Sequence, residues 1–146
     1  MKRRELREHI FKLVFSSLEE DVFPEENFEY YFSDNEITES NAEYIKSAVN
    51  GISTNLSVID KAILDNIKGY TFDRISKVCL AVMRVAVYEI YYLPDVPGNV
   101  SISEAIEIAE KYENEKSKSF VNGILGTILR EKDMKKEENW GAAWIF

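Results

Sequence analysis

Thiols and imidazoles are almost missing from this chain, which holds one cysteine, Cys79, and one histidine, His9, in 146 residues. A lone cysteine excludes an internal disulfide and fits a reducing compartment. No pair of His or Cys has zinc-ligand spacing. A Ser-His-Asp set would need His9, which stands among arginines. Gly123-Ile-Leu-Gly126 lacks the lysine and the preceding strand of a phosphate loop. Carboxylates are plentiful, so any pair of them is unspecific. The residues point to a binding module: not an enzyme, with no metal and no cofactor.

Turn formers are scarce as well, with 6 Gly and 3 Pro, two of the prolines framing the loop Leu93–Gly98. Together with long 3.6-residue periodicity this favours an all-α fold over a β sandwich. No uncharged apolar run reaches the length of a bilayer span. The N-terminus, KRRELREH, lacks the apolar core of a secretion signal, so a cytoplasmic protein is expected. The length suits one domain that buries roughly 68–70% of its unfolded surface.

Positive charge is missing from one stretch. No Lys or Arg occurs between Leu13 and Ile45, where ten Asp or Glu stand. Five cations against two acids put the first twelve residues at +3, so the remainder carries −11 of the total −8. The split suggests an anionic partner at the N-terminal end and a basic one elsewhere, or simply an acidic, soluble protein.

What is present is organised around Phe72–Leu93. Ile75, Val78, Cys79, Val82, Met83, Ala86, Val87 and Ile90 make one helical face. Leu80, Ala81, Val85, Tyr88 and Tyr91 widen it most of the way round, as in a helix with neighbours on most sides. Arg84 and Glu89 interrupt the run. Ahead of it the pattern predicts helices over Arg3–Leu18, Asn27–Phe32, Asn41–Ser53 and Leu56–Ile67, with Gly69 ending the last. Phe11 and Phe15 fall at the margin of the first helix's stripe, and Gly51 marks a close helix contact. After the central helix, Ser101-Ile-Ser-Glu104 matches a capping box opening the sixth helix. The seventh is expected over Phe120–Lys132, after a polar ENEKSKS connection. Gly123 and Gly126 within it suggest that another backbone comes close.

Arg3, Arg4 and Arg7 project from the first two turns of the first helix. Their guanidiniums could take phosphates bidentately, or form a solvated basic face pairing with Glu5 and Glu8. Residues 1–136 read as a single domain and 137–146 as an apolar tail. Trp140, Trp144, Ile145 and Phe146 dock either on this molecule or in a neighbour's groove.

Three blocks near the C-terminal end are specific. VMRVAVYEI at 82–90, VSISEAIEIAEKY at 100–112 and FVNGIL at 120–125 resemble, in residues and in spacing, the NusB family of transcription antitermination factors. RRELREHIFKLVFS near the start resembles that family's first helix, and AVNGISTNLSVIDKAI at 48–63 its third-to-fourth helix junction. The resemblance covers about Arg3 to Arg130. It implies a seven-helix, all-α fold of two small bundles around a central hydrophobic helix. It further implies pairing with the ribosomal protein NusE, binding of boxA RNA from ribosomal RNA operons, and a place in the RNA polymerase antitermination complex. Carried over by position, Lys2, Arg3, Arg4, Arg7, Phe15, Lys118 and Phe120 would meet RNA, Phe120 being either a base platform or core. Asp73, Arg74, Lys77 and Cys79 would meet NusE. This chain departs from the family pattern at four places. Ser103 replaces Asn, Ser119 replaces Lys with Lys118 one place earlier, Phe15 replaces Tyr, and Cys79-Leu80 replaces a charged pair. That pair is either extra core or an altered interface. A protein–protein adaptor that kept the fold without RNA recognition is the alternative function, and a homodimer the alternative assembly.

Overall fold

The computed structural model describes residues 1–20, 28–69 and 71–145, with side chains described for 1–18, 28–69 and 71–135. Among the described residues there are seven α-helices and no strand. They are α1 (Arg3–Glu20), α2 (Phe28–Asp34), α3 (Glu39–Thr54), α4 (Leu56–Leu64), α5 (Lys77–Tyr92), α6 (Gly98–Tyr112) and α7 (Glu115–Ile145), with a 3-10 turn, Phe72–Arg74, ahead of α5. The expected acidic connection Glu19–Glu26 lies outside the described side chains, as do those of the tail from Trp140 to Phe146.

The nearly all-round apolar pattern of α5 has the consequence expected of it. Helices α1, α3, α4, α6 and α7 all pack on α5, and every residue from Cys79 to Ile90 is buried. Val14 from α1, Ile45, Val49 and Ile52 from α3, Ile59 and Ile63 from α4, and Val121, Leu125 and Ile128 from α7 fill the core with it. The two charges that interrupt the apolar run are buried with partners. Arg84 donates to both carboxylate oxygens of Asp60 in α4, at 2.9 and 2.8 Å. Glu89 accepts a matching fork from Arg7 of α1, at 2.7 and 2.8 Å. Left single, either charge would be strongly destabilising in such a site.

Several helix boundaries differ from the pattern, each for a local reason. Helix α5 starts at Lys77 rather than Phe72, because extended Ser76 caps it, its Oγ accepting the Cys79 N–H at 3.1 Å. Helix α6 starts at Gly98 behind Pro97, which makes no side-chain cap. The capping box is therefore not formed: Ser101 lies one turn inside and donates to Glu89 at 3.0 Å. Helix α7 begins at Glu115, so most of the polar ENEKSKS run is its first turns, where the Asn114 side chain accepts the Ser117 N–H at 3.0 Å. Helix α4 ends at Leu64, and Gly69 turns the chain beyond it with φ +76°.

The glycines divide. A Cβ at Gly51 would come within 2.6 Å of the Tyr88 ring, so α3 and α5 do approach closely there. At Gly123 it would meet nothing within 4 Å, and at Gly126 only an Arg130 guanidinium nitrogen at 3.4 Å. The expected backbone approach along α7 is absent at both. Phe11, expected at a margin, is core at 2% exposure.

Candidate nucleic-acid interface

The four N-terminal cations have different fates, set by where α1 lies on α5 and α6. Lys2 and Arg3 are exposed, and the Arg3 guanidinium sits 5.8 Å from the centre of the Tyr44 ring. Arg4 faces α6, where its Nε and Nη2 donate to Glu104 at 3.0 Å each, with Glu107 at 3.5 Å. Two-thirds of its side chain still meets solvent. Arg7, one turn on, points inward and is 5% exposed. Burial opposes its charge, yet the fork to Glu89 raises its pKa above the ordinary arginine value. Arg7 is thus a core ion-pair residue in this structure, which withdraws it from the surface set that the sequence suggested. Its pairing is with Glu89, not with Glu5 or Glu8.

Farther along α1, Glu8 accepts from Lys111 at 2.6 Å and from the Tyr112 hydroxyl. Burial works against the Glu8 charge, but these two hydrogen bonds hold its carboxyl below the usual range. Phe15 is half-buried against the core, its ring 6.0 Å from that of Phe11. Farther along α6, Glu110 pairs with Lys118 of α7 at 3.1 Å. Phe120 is half-buried, packing on the core while also walling a surface groove.

That groove, about 330 Å³, lies where the 3-10 turn, the start of α5 and the α6–α7 junction converge. Arg74, Cys79, Glu113, Lys116 and Phe120 line it. Glu113 ties its floor together, accepting from Ser76 at 2.9 Å, from Cys79 at 3.2 Å and from Ser117. Burial disfavours the Glu113 charge, but these donors keep its carboxyl below the usual range. The groove brings Arg74 and Cys79, expected to face a protein, beside Phe120, expected to face RNA. Asp73 and Lys77 are exposed nearby. Cys79 itself is 3% exposed and Leu80 6%, so this pair is core, with Cys79 reaching only the groove's floor. Burial pushes the Cys79 thiol up.

Sequence reasoning missed the acids that hold the cations, Glu89 in the core and Glu104, Glu107 and Glu110 on this face. Glu89 looked like a break in a stripe and Glu104 like half of a cap; Glu107 and Glu110 had drawn no attention. The available signal was their spacing, since Glu104, Glu107 and Glu110 recur every third residue on one helix. Among the described residues no group of three or more His, Cys, Asp or Glu could hold a metal ion, and no helix is long and apolar enough to cross a membrane.

Comparison with known proteins agrees with this geometry. The model of the NusB family matches residues 4–130. The transcription antitermination protein NusB of Clostridium acetobutylicum is 36% identical over 135 residues, covering 92% of this chain and 100% of that protein. A crystal form of T. maritima NusB superposes with a TM-score of 0.82 at 36% identity, over 90% of this chain and 92% of that one. A structure of antitermination factors NusB and NusE in complex with dsRNA matches with a TM-score of 0.80 at 24% identity, over 88% of this chain and 96% of that one, a likeness of fold.

Proposed function

This chain belongs to the NusB family, and from that premise we propose that it is a non-enzymatic transcription antitermination factor acting in the cytoplasm. In this reading it pairs with the ribosomal protein NusE, binds boxA RNA of ribosomal RNA operons and joins the RNA polymerase antitermination complex. The observation that carries the reading is the exposed cationic N-terminal end, where Lys2 and Arg3 meet solvent and Arg4 reaches α6. Phosphates bind such a cluster without reading sequence, and base contacts then supply choice. Lys118, Phe120 and Phe15 complete the proposed RNA set; Asp73, Arg74, Lys77 and the floor made by Cys79 form the proposed NusE edge. The acidic body suits a basic ribosomal protein.

Titration of boxA RNA with the chain, alone and with NusE, tests the reading. Binding that tightens in the NusE complex, and that Arg3→Ala with Arg4→Ala weakens and makes less salt-dependent, is the expected result. An unchanged affinity at low salt would remove these arginines from the site. The second reading, an adaptor without RNA recognition, draws on the burial of Arg7 and on the carboxylates that hold Arg4 and Lys118. RNA affinity that fails to rise with NusE would favour it. A homodimer, and a part in it for residues 137–146, is tested by light scattering on the full chain and on one ending at Lys136.

A further inference from the structure

We propose that Glu104, Glu107 and Glu110 of α6 form an internal competitor for RNA phosphates, holding two of the RNA-facing cations, Arg4 and Lys118, until a nucleic acid displaces them. The inference rests on the RNA-binding reading above and adds a control built into the same face.

Three residues on one helix, each three positions from the next, reach cations on two different helices. Glu104 meets Arg4 of α1 through a two-bond fork at 3.0 Å, and Glu107 stands 3.5 Å from the same guanidinium. Glu110 meets Lys118 of α7 at 3.1 Å. Helix α6 thus lies between the two cationic parts of the face and occupies one cation from each. A carboxylate offers a guanidinium the same pair of oxygens that a phosphate offers. An incoming strand therefore has to exchange partners at Arg4 and Lys118 rather than fill open positions there, and the freed carboxylates then stand beside it as like charges.

The pairs are weak enough to exchange. The side chains of Arg4, Glu107, Glu110 and Lys118 are 66%, 55%, 49% and 36% exposed, and Glu104 is the most covered, at 15%. Exposed ion pairs are each worth roughly a factor of 1.5 or more in an equilibrium, so the three together lower RNA affinity by about threefold or more. That factor applies to any RNA that relies on phosphate contacts, whatever its sequence. Phosphate contacts alone then bind poorly, and useful affinity requires the added contacts of bases or of a partner protein. A purely structural role, zipping α1 and α7 to α6, predicts lost stability on removal but no gain in RNA binding.

The test compares the full chain with Glu104→Gln, Glu107→Gln, Glu110→Gln together. The control variant is Glu29→Gln, Glu39→Gln, Glu43→Gln, which removes the same charge from exposed positions on α2 and α3. Binding of boxA RNA and of a scrambled RNA of equal length is measured by fluorescence anisotropy, with and without NusE. The α6 variant is expected to bind both RNAs tighter than the wild type by about threefold or more, and the control less than twofold tighter. An α6 variant no tighter than the control overturns the proposal. Should the triple variant fail to fold, Glu107→Gln with Glu110→Gln keeps the Arg4–Glu104 fork, and it should still gain about twofold; no gain there is equally fatal. If the wild type binds no RNA and the α6 variant does, the masking is supported directly. If neither binds, the RNA-binding reading fails together with the inference.

Discussion

Arg7 of α1 and Glu89 of α5 close a two-bond fork inside the core, with Ser101 of α6 donating to the same carboxylate at 3.0 Å. Three helices meet at one buried charge. Glu89→Gln should therefore destabilise the protein by about 3 kcal/mol or more, because it strands the Arg7 guanidinium away from water. Arg7→Met with Glu89→Leu should recover most of that loss. Urea unfolding of the two variants checks both; a Glu89→Gln protein as stable as the wild type would mean that water reaches the pair.

The two kinds of glycine should respond in opposite directions. Gly123→Ala fills open space on a helix and should stabilise by roughly 0.4–1 kcal/mol. Gly51→Ala drives a methyl into the Tyr88 ring and should cost about 1–3 kcal/mol. Thermal melts of both proteins settle the comparison, which fails if the two shifts have the same sign.

Acid should unfold the protein in two stages. Burial, and then the nearby charge of Lys12, lower the His9 pKa below its ordinary 6.5. The unfolded chain therefore takes up that proton first, and stability begins to fall as pH drops below about 6.5. Glu8 and Glu113 are held below the ordinary 4.5. Their contribution is complete above that value and is lost as pH falls through the lowered folded values. Urea midpoints measured from pH 7 to pH 3 should trace both slopes. Glu113→Gln should flatten only the lower one.

Cys79 should react slowly with thiol reagents at neutral pH. It is almost fully buried and burial raises its pKa, so little of the nucleophilic thiolate is present. Alkylation at native conditions should run far slower than in urea. Equal rates would place the thiol on the surface.

Much of the fold was legible because periodicity and burial are the same signal. The apolar stripes of α1, α3, α4, α5 and α7 name nearly all the side chains that fill the core. Polar residues with inside partners were not legible. Arg7 and Glu89 are far apart in sequence and each looks ordinary alone, so only the folding of α1 onto α5 reveals that one neutralises the other. Ser101 and Glu104 fit a local capping rule, but Pro97-Gly98 starts α6 earlier and sends both side chains to other helices. The motif blocks named the residues of the proposed face, while the division of its cations between surface and core required the packing of α1.

The fork between Arg7 and Glu89 also bears on the order in which the protein is made. Helix α1 leaves the ribosome before α5, carrying a guanidinium whose buried partner is synthesised 82 residues later. Until α5 and α6 have emerged, the surroundings that bury Arg7 do not exist: Val82, Val85, Ala86 and Glu89 come from α5, and Ser101, Ala105 and Ile108 from α6. The N-terminal half therefore cannot complete its core as an early, separate unit. Closure of the domain waits for its centre, and a chain cut before Glu89 is expected to stay open rather than half built.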